Sequence, residues 1–175
     1  MNIEIPDEFF GAEELKNTPG RFKKFMKEWL VDSKDFTFTV FENPGYDEII
    51  TWSGKSFSMC AHHLLPMILE VHVGYIPSDK ICGLSKIPRV VDMFAHRPQL
   101  QERLTKEIAD YLEEHLSPKG VIVMVKGRHL CVEARGVRKT DSFMSTSVAR
   151  GLFLKPTDSG RTPKQEFFEM IRRKD

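Results

Sequence analysis

Four consecutive residues, Cys60, Ala61, His62 and His63, place one thiol and two imidazoles next to each other. Side chains of these types bind metal ions and carry protons. Cys60 and His63 have the C-x-x-H spacing with which one turn can present two ligands to one metal ion. The spacing alone is a weak signal, because it also arises by chance. We interpret the stretch as the active site and look for its other members elsewhere in the chain.

A second group of reactive side chains follows the β-branched run that begins at Val121. If this strand continues to residue 136, alternate residues share one face, which would carry His129, Cys131, Glu133 and Arg135. Polar groups of this kind are costly to bury without partners. We therefore expect the row to line a site rather than to face an apolar core.

Cys131 would complete a ligand set with Cys60 and His63. Two thiolates and one imidazole suit zinc, and three protein ligands leave its fourth position for water, which is typical of catalytic sites. Such zinc lowers the pKa of bound water to about 7 and supplies hydroxide at neutral pH. The alternative is that Cys60 and Cys131 are packed core thiols. Cys82 lies in a short apolar run and is expected to belong to the core.

His62 and His129 are then not needed as ligands, and we assign both to acid/base work because histidine titrates near neutral pH. The other histidines, at positions 72, 96 and 115, are expected to be surface or structural residues.

An anion site is indicated at the start of a predicted helix, where Ser85, Lys86 and Arg89 cluster. Backbone amides and the helix dipole favour anions there, so these residues and Arg135 could hold a polyphosphate. A solvated basic turn is the alternative. Gln101 and Glu102 pair an amide with a carboxylate, which could read the donor edge of guanine, although isolated helix residues of these types commonly face solvent.

The apolar periodicity that must position these residues alternates between helix and strand. It predicts an α+β fold, with helices packed on one face of a mainly antiparallel sheet. The predicted helices cover residues 7–31 in two pieces separated at Asn17–Gly20, 85–97, 99–116 and 163–173; the predicted strands cover 36–41, 48–51 and 55–58 around a Ser53-Gly54 turn, 70–76, 121–136 and 143–153.

Composition restricts the class of protein. A chain of 175 residues is long enough for one ordinary domain, so 1–175 is expected to be a single domain. A net charge of +1 gives no global field for nucleic acid or a membrane surface. No apolar run approaches the roughly 20 residues of a membrane helix, and the first residues lack signal-peptide features, so a cytoplasmic location is expected. The three cysteines are expected to be thiols or metal ligands rather than disulfides.

Several stretches together resemble the GTP cyclohydrolase I family, and the similarity runs from about Thr18 to Arg173. These stretches are Cys60–Pro66, Gly74–Pro77, Gly83–Arg89, Arg97–Thr105, His129–Cys131 and Ala134–Gly136.

The resemblance implies a T-fold, a ring-shaped homodecamer with sites between subunits, and hydrolysis of GTP to 7,8-dihydroneopterin triphosphate with release of formate. This reaction opens folate, other pterin or deazaguanine routes. The resemblance also implies that zinc is the cofactor, that His129 protonates N7 of guanine, and that His62 and Ser85 assist ring closure. It assigns the triphosphate and ribose to Ser85, Lys86, Arg89 and Arg135, with Arg21 as a further triphosphate contact, and guanine to Gln101 and Glu102.

Two features depart from the family pattern. Ala61 stands where a glutamate is common, which could weaken support of the zinc site or slow a proton step. The chain before Thr18 is also short. Ala61 is the support for one alternative to the full reaction, a weakly catalytic relative that binds GTP or a pterin, while the short stretch before Thr18 concerns the expected decamer. An enzyme that stops at a formylated intermediate is a further alternative.

Overall fold

A five-stranded sheet organises the structure, a computed structural model that describes residues 7–30, 36–156 and 160–172. Its strand order is β5-β2-β3-β6-β7, and all neighbours are antiparallel except β5, which runs parallel to β2. A smaller sheet pairs β1 with β4. The strands are β1 (Val40–Glu42), β2 (Ile50–Cys60), β3 (Pro66–Ile76), β4 (Lys80–Cys82), β5 (Pro98–Gln99), β6 (Gly120–His129) and β7 (Met144–Gly151).

Helices accompany this mainly antiparallel sheet, so the predicted α+β class is confirmed. Among the described residues, no helix is both long enough and apolar enough to cross a membrane. The α-helices are α1 (Ala12–Trp29), α2 (Lys86–Ala95), α3 (Gln101–Leu116), α4 (Leu130–Glu133) and α5 (Pro163–Arg172), with short 3-10 helices at Asp7–Phe9 and Leu152–Leu154. Pro98 separates α2 from α3, as predicted.

The larger core lies between the sheet and helices α2 and α3. Val71 and Val73 of β3 and Val123 of β6 are fully buried there, together with Ile108 and Leu112 of α3. Alternation along β3 and β6 sends every second side chain toward this helical layer. This layer brings the start of α3 against the end of β6, where the site is built.

Helix α5 packs on the opposite face of the sheet. Phe167 is fully buried in a second cluster with Ile122 and Phe153. A Cβ atom at Gly74 would lie 2.7 Å from Cδ2 of Phe167, so glycine makes room for the ring. The prediction that helices cover one face is therefore wrong for α5, because apolar residues on β6 alternate toward both faces.

Two predicted interruptions are also wrong. Helix α1 continues through Pro19, where Arg21 reaches back across the proline to Glu13 at 2.6 Å. Strand β2 continues through the expected turn at Ser53-Gly54. A Cβ atom at Gly54 would lie 2.5 Å from Cζ2 of Trp52, so glycine at this position makes room for the indole.

The first predicted strand is shorter than expected. Strand β1 starts at Val40, and Phe38 packs on the ring of Tyr111 at 5.5 Å between centroids. The predicted residues 31 and 173, at two helix ends, lie outside the described part of the chain.

Candidate metal centre and active site

The turn between β2 and β3 presents the first three site residues. The backbone N–H of Cys60 donates to the carbonyl of Leu65 at 2.9 Å, and that of Leu64 donates to the carbonyl of Cys60 at 2.8 Å. Leu64 adopts a left-handed conformation with φ of 55°, which few residues other than glycine do. This tight reversal leaves Cys60 buried and points His62 and His63 toward solvent.

Strand β5 fixes this turn from the side. The N–H of Ala61 donates to the carbonyl of Gln99 at 2.9 Å. The Gln99 side chain is fully buried and bonds to Glu107 and Arg103, each at 2.7 Å. A buried residue whose polar atoms all have partners is a rigid support. Sequence reasoning missed Gln99, whose role depends on a strand pairing between distant segments.

The third candidate ligand comes from the end of β6, by a different geometry from the one predicted. Strand β6 ends at His129, and residues Leu130–Glu133 form one turn of helix. Cys131 and Glu133 therefore do not continue a strand face, so the row predicted from alternation is wrong beyond His129. The turn is closed by Arg128, whose guanidinium donates to both carboxylate oxygens of Glu133 at 2.9 and 2.7 Å.

Glu133, predicted to line the site, is instead the partner of Arg128. The two hydrogen bonds from that guanidinium lower the pKa of the Glu133 carboxyl. A planar guanidinium that donates two hydrogen bonds to one carboxylate fixes the relative orientation of the two side chains as well as pairing their charges. It holds the helical turn that carries Cys131 against the end of β6.

The three candidate metal ligands converge despite this difference. One ligand atom from each of Cys60, His63 and Cys131 lies within 4.8 Å of the other two. Atoms bound to one zinc ion at about 2.1–2.3 Å can be no more than about 4.6 Å apart, so the spacing is close to that of a shared ion. The donor set of two thiols and one imidazole also suits zinc.

The neighbours of this group are polar and charged. Burial raises the pKa of Cys131, with the adjacent Cys60 adding to the effect and Arg135 opposing it. Arg135 contacts His63 through Nη1 and Nε2. His62 lies with Nδ1 3.9 Å from Sγ of Cys60, so an exposed imidazole stands directly beside the candidate ligands. This environment differs from that of a pair of packed core thiols.

His129 lies at the start of the same helical turn and is half-buried. Burial lowers its pKa, while the Glu102 carboxylate acts in the opposite direction. Its Nε2 atom lies 2.8 Å from Oε1 of Gln101. Gln101 itself is almost fully buried.

The predicted anion-binding residues lie at other places in the chain. Ser85 precedes α2, and Lys86 donates from Nζ to the carbonyl of Thr37 at 2.9 Å. Arg89 is exposed on α2, and Arg21 is paired with Glu13 on α1. Within the described residues, no hydrogen bond or ion pair joins these side chains to the three candidate ligands. Arg135 alone of the predicted phosphate contacts lies beside them.

Comparison with known proteins gives matches over nearly the whole chain. The family model described as GTP cyclohydrolase I matches residues 3–172. The GTP cyclohydrolase 1 of Sulfurihydrogenibium sp. (strain YO3AOP1) is 46% identical over 161 residues, covering 91% of this chain and 83% of that relative. The GTP cyclohydrolase 1 of Aquifex aeolicus is 44% identical over 171 residues, covering 97% of this chain and 88% of that protein.

A solved structure supports the fold independently of close sequence similarity. The archaeosine synthase QueF-Like in its apo form, a T-fold protein, superposes with a TM-score of 0.51 at 19% sequence identity. The match covers 59% of this chain and 94% of that one. The likeness concerns the curled, mainly antiparallel sheet and its helices.

Proposed function

The chain belongs to the GTP cyclohydrolase I family and is an enzyme of that kind, and on this premise we propose that it hydrolyses GTP at C8 of guanine in a zinc-dependent reaction. The products are formate and, after rearrangement of the ribose, 7,8-dihydroneopterin triphosphate. The observation that carries the proposal is the convergence of Cys60, His63 and Cys131 beside His62 and His129. It unites a zinc-type donor set with two proton carriers that are not needed as ligands.

Cys60, His63 and Cys131 would hold the zinc ion. Zinc bound there supplies a Lewis acid that activates water near neutral pH. The supports already described, Gln99 beneath the β2–β3 turn and the Arg128–Glu133 pair, keep the ligands in place in the folded chain. Ala61 leaves this arrangement without the carboxylate that the family commonly has at that position.

The two remaining histidines move protons. His129, half-buried beside the amide of Gln101, protonates N7 of guanine when the ring opens. His62, exposed on the turn, assists closure of the pterin ring together with Ser85. Two histidines in different surroundings suit a reaction that contains several proton transfers.

The substrate is held by cations distributed over the chain. Arg21, Lys86, Arg89 and Arg135 contact the triphosphate and ribose, and the exposed Glu102 carboxylate binds guanine. These contacts supply orientation and binding rather than chemistry. The buried amide of Gln101 has other partners, so we give it a different role below.

The open edges of the sheet support an oligomer. Within the described residues, β7 pairs only with β6, and β2 pairs beyond β3 only at Met59 and Cys60. Each edge therefore offers backbone donors and acceptors to another strand. We propose that copies of the chain join these edges in a ring, which brings the cations of α1 and α2 to the zinc ligands of a neighbour, and that two rings form a homodecamer.

Sedimentation velocity tests the assembly. A decamer at working concentration, with specific activity that falls as dilution produces monomer, is the expected result. A fully active monomer would contradict a site shared between subunits.

The remaining assignments concern cellular context. We propose that residues 1–175 act as one domain in the cytoplasm, without a nucleic-acid or membrane partner. The product would enter a folate, other pterin or deazaguanine route.

Turnover of GTP by the purified, zinc-loaded protein tests the reaction. We expect equimolar formate and a compound with a pterin chromophore. Saturable GTP binding without turnover would instead indicate a binding protein, and a ring-opened product without formate would indicate an enzyme that stops at the formylated intermediate.

A further inference from the structure

The side-chain amide of Gln101, at the start of α3, has partners on two strands. Its Nε2 atom donates to the carbonyls of Val125 and Met144, both at 3.0 Å, and approaches Oγ1 of Thr146 at 3.2 Å. Its Oε1 atom lies 2.8 Å from Nε2 of His129. The residue is only 1% exposed, so water cannot serve as its partner, and these contacts satisfy its polar atoms inside the protein.

These partners determine which way round the amide lies. An exchange of its oxygen and nitrogen would place Oε1 against the carbonyl oxygens of Val125 and Met144, which cannot donate a hydrogen bond. Oε1 must therefore face His129. Because a carbonyl oxygen only accepts, Nε2 of His129 must carry the hydrogen of this contact. In the neutral ring, Nδ1 is then the nitrogen with the free electron pair.

The main chain leaves room for this arrangement at Gly127. A Cβ atom at this position would lie 2.3 Å from Oε1 of Gln101 and 2.9 Å from Cδ2 of Leu69. Any other residue would displace the amide oxygen from the place where it meets His129. A glycine inside a strand indicates such a close approach, and β6 has this one two positions before His129.

We propose that Gln101 is a positioning residue of the reaction, which fixes the ring orientation of His129 and keeps a hydrogen on Nε2, so that Nδ1 is the atom that takes up a proton from water and delivers it to N7 of guanine. This inference rests on the proposed function, in which His129 is the proton carrier. It replaces the sequence-based assignment of Gln101 to guanine, since the amide already has partners inside the chain.

The tautomer can be measured without any turnover. The full-length, zinc-loaded protein is labelled with 15N-histidine, and the His129 signals are identified by their loss in His129→Ala. We expect a protonated Nε2 and an unprotonated Nδ1 at a pH where the ring is neutral. A hydrogen on Nδ1 in the unaltered protein would overturn the proposal, and this result does not depend on the folding of any variant.

Gln101→Met, which keeps the length of the side chain, tests the effect on the reaction. We expect kcat for formate release to fall about 10- to 100-fold, as misplacement of a catalytic group does, while the Kd for GTP stays within about twofold. In the same variant, the His129 spectrum should show both tautomers. A large loss of GTP affinity with an unchanged tautomer would show that Gln101 binds guanine.

Thr105→Val is the matched control. It removes the hydrogen bond from Oγ1 of Thr105 to the Gln101 carbonyl at 2.7 Å, and the contact with Thr146, but leaves the amide facing His129. Kinetic constants and tautomer should stay as in the parent, and an equal loss of kcat would reduce Gln101 to a structural residue. If the parent protein does not turn over GTP at all, the proposed function fails, whereas the tautomer measurement still decides whether Gln101 sets the orientation and tautomer of His129.

Discussion

The thiol of Cys82 lies 3.8 Å from the Tyr75 hydroxyl, which also accepts a hydrogen bond from the Cys82 backbone N–H at 3.3 Å. Burial raises the pKa of this thiol. Cys60 and Cys131, by contrast, belong to one group with His63. The three cysteines therefore divide into two candidate ligands and one thiol packed against the core, and this division can be tested.

Cys131→Ala should abolish stoichiometric zinc binding, because a site of one thiolate and one imidazole retains too few protein ligands. Zinc content is measured by elemental analysis after equilibration with a weak chelator. Cys82→Ala is the control and should keep one zinc ion per chain. Equal zinc retention in both variants would refute the ligand assignment.

His129→Ala should bind zinc and GTP as the parent does, but open the guanine ring about 10²- to 10⁴-fold more slowly, the usual contribution of a general acid or base. Rapid-quench analysis of a single turnover measures this step. His115→Ala provides the comparison, since His115 stacks on Tyr111 at 3.8 Å between ring centroids, and its rate should be unchanged. If ring opening is unimpaired in His129→Ala, another group protonates N7.

The sequence was sufficient to predict the metal group but not its local geometry. The residue types at Cys60, His63 and Cys131 predicted which three side chains come together, whatever conformation carried them. Alternation could not reveal that β6 ends at His129, because the helical turn depends on the pairing of Arg128 with Glu133. A side-chain pair of this kind can be predicted only when the backbone positions of both residues are known.

Contacts between residues far apart in the sequence were the hardest feature to predict from the sequence. Gln101 and His129 meet because α3 packs across β6, and no local pattern links their positions. Gly127 was the available signal, since a glycine inside a strand can mark a close approach. Likewise, a proline and a glycine suggested breaks in α1 and β2, whereas both elements continue through these positions.

Phe167→Ala should destabilise the protein by about 3–5 kcal/mol, the usual cost of truncating a buried phenylalanine. The ring is fully buried between the sheet and α5, so the change tests the second core. Urea unfolding measures the effect. Met170→Ala, on the same helix but 39% exposed, should change stability by less than about 0.5 kcal/mol. Similar small effects of both changes would show that α5 contributes little to the core.

Asp110→Asn should destabilise the protein at pH 7 by up to about 1 kcal/mol, because partly exposed ion pairs contribute little. Partial burial raises the pKa of Asp110, but hydrogen bonds from Lys106 and Arg150 outweigh it, and the net pKa is lowered. A carboxyl whose pKa is lower in the folded state stabilises the fold above its unfolded pKa of about 3.9. This contribution is lost as the pH falls through the folded value.

The difference in unfolding free energy between Asp110→Asn and the parent should therefore shrink as the pH is lowered from 7 to below about 3. Urea unfolding of both proteins at each pH gives this difference, and effects common to both, such as acid release of metal, cancel. Asp47→Asn removes a carboxylate from an exposed position and controls for net charge. A difference for Asp110→Asn that stays constant over this pH range would mean that Lys106 and Arg150 do not stabilise the ionised carboxylate, and that packing at this position accounts for the loss.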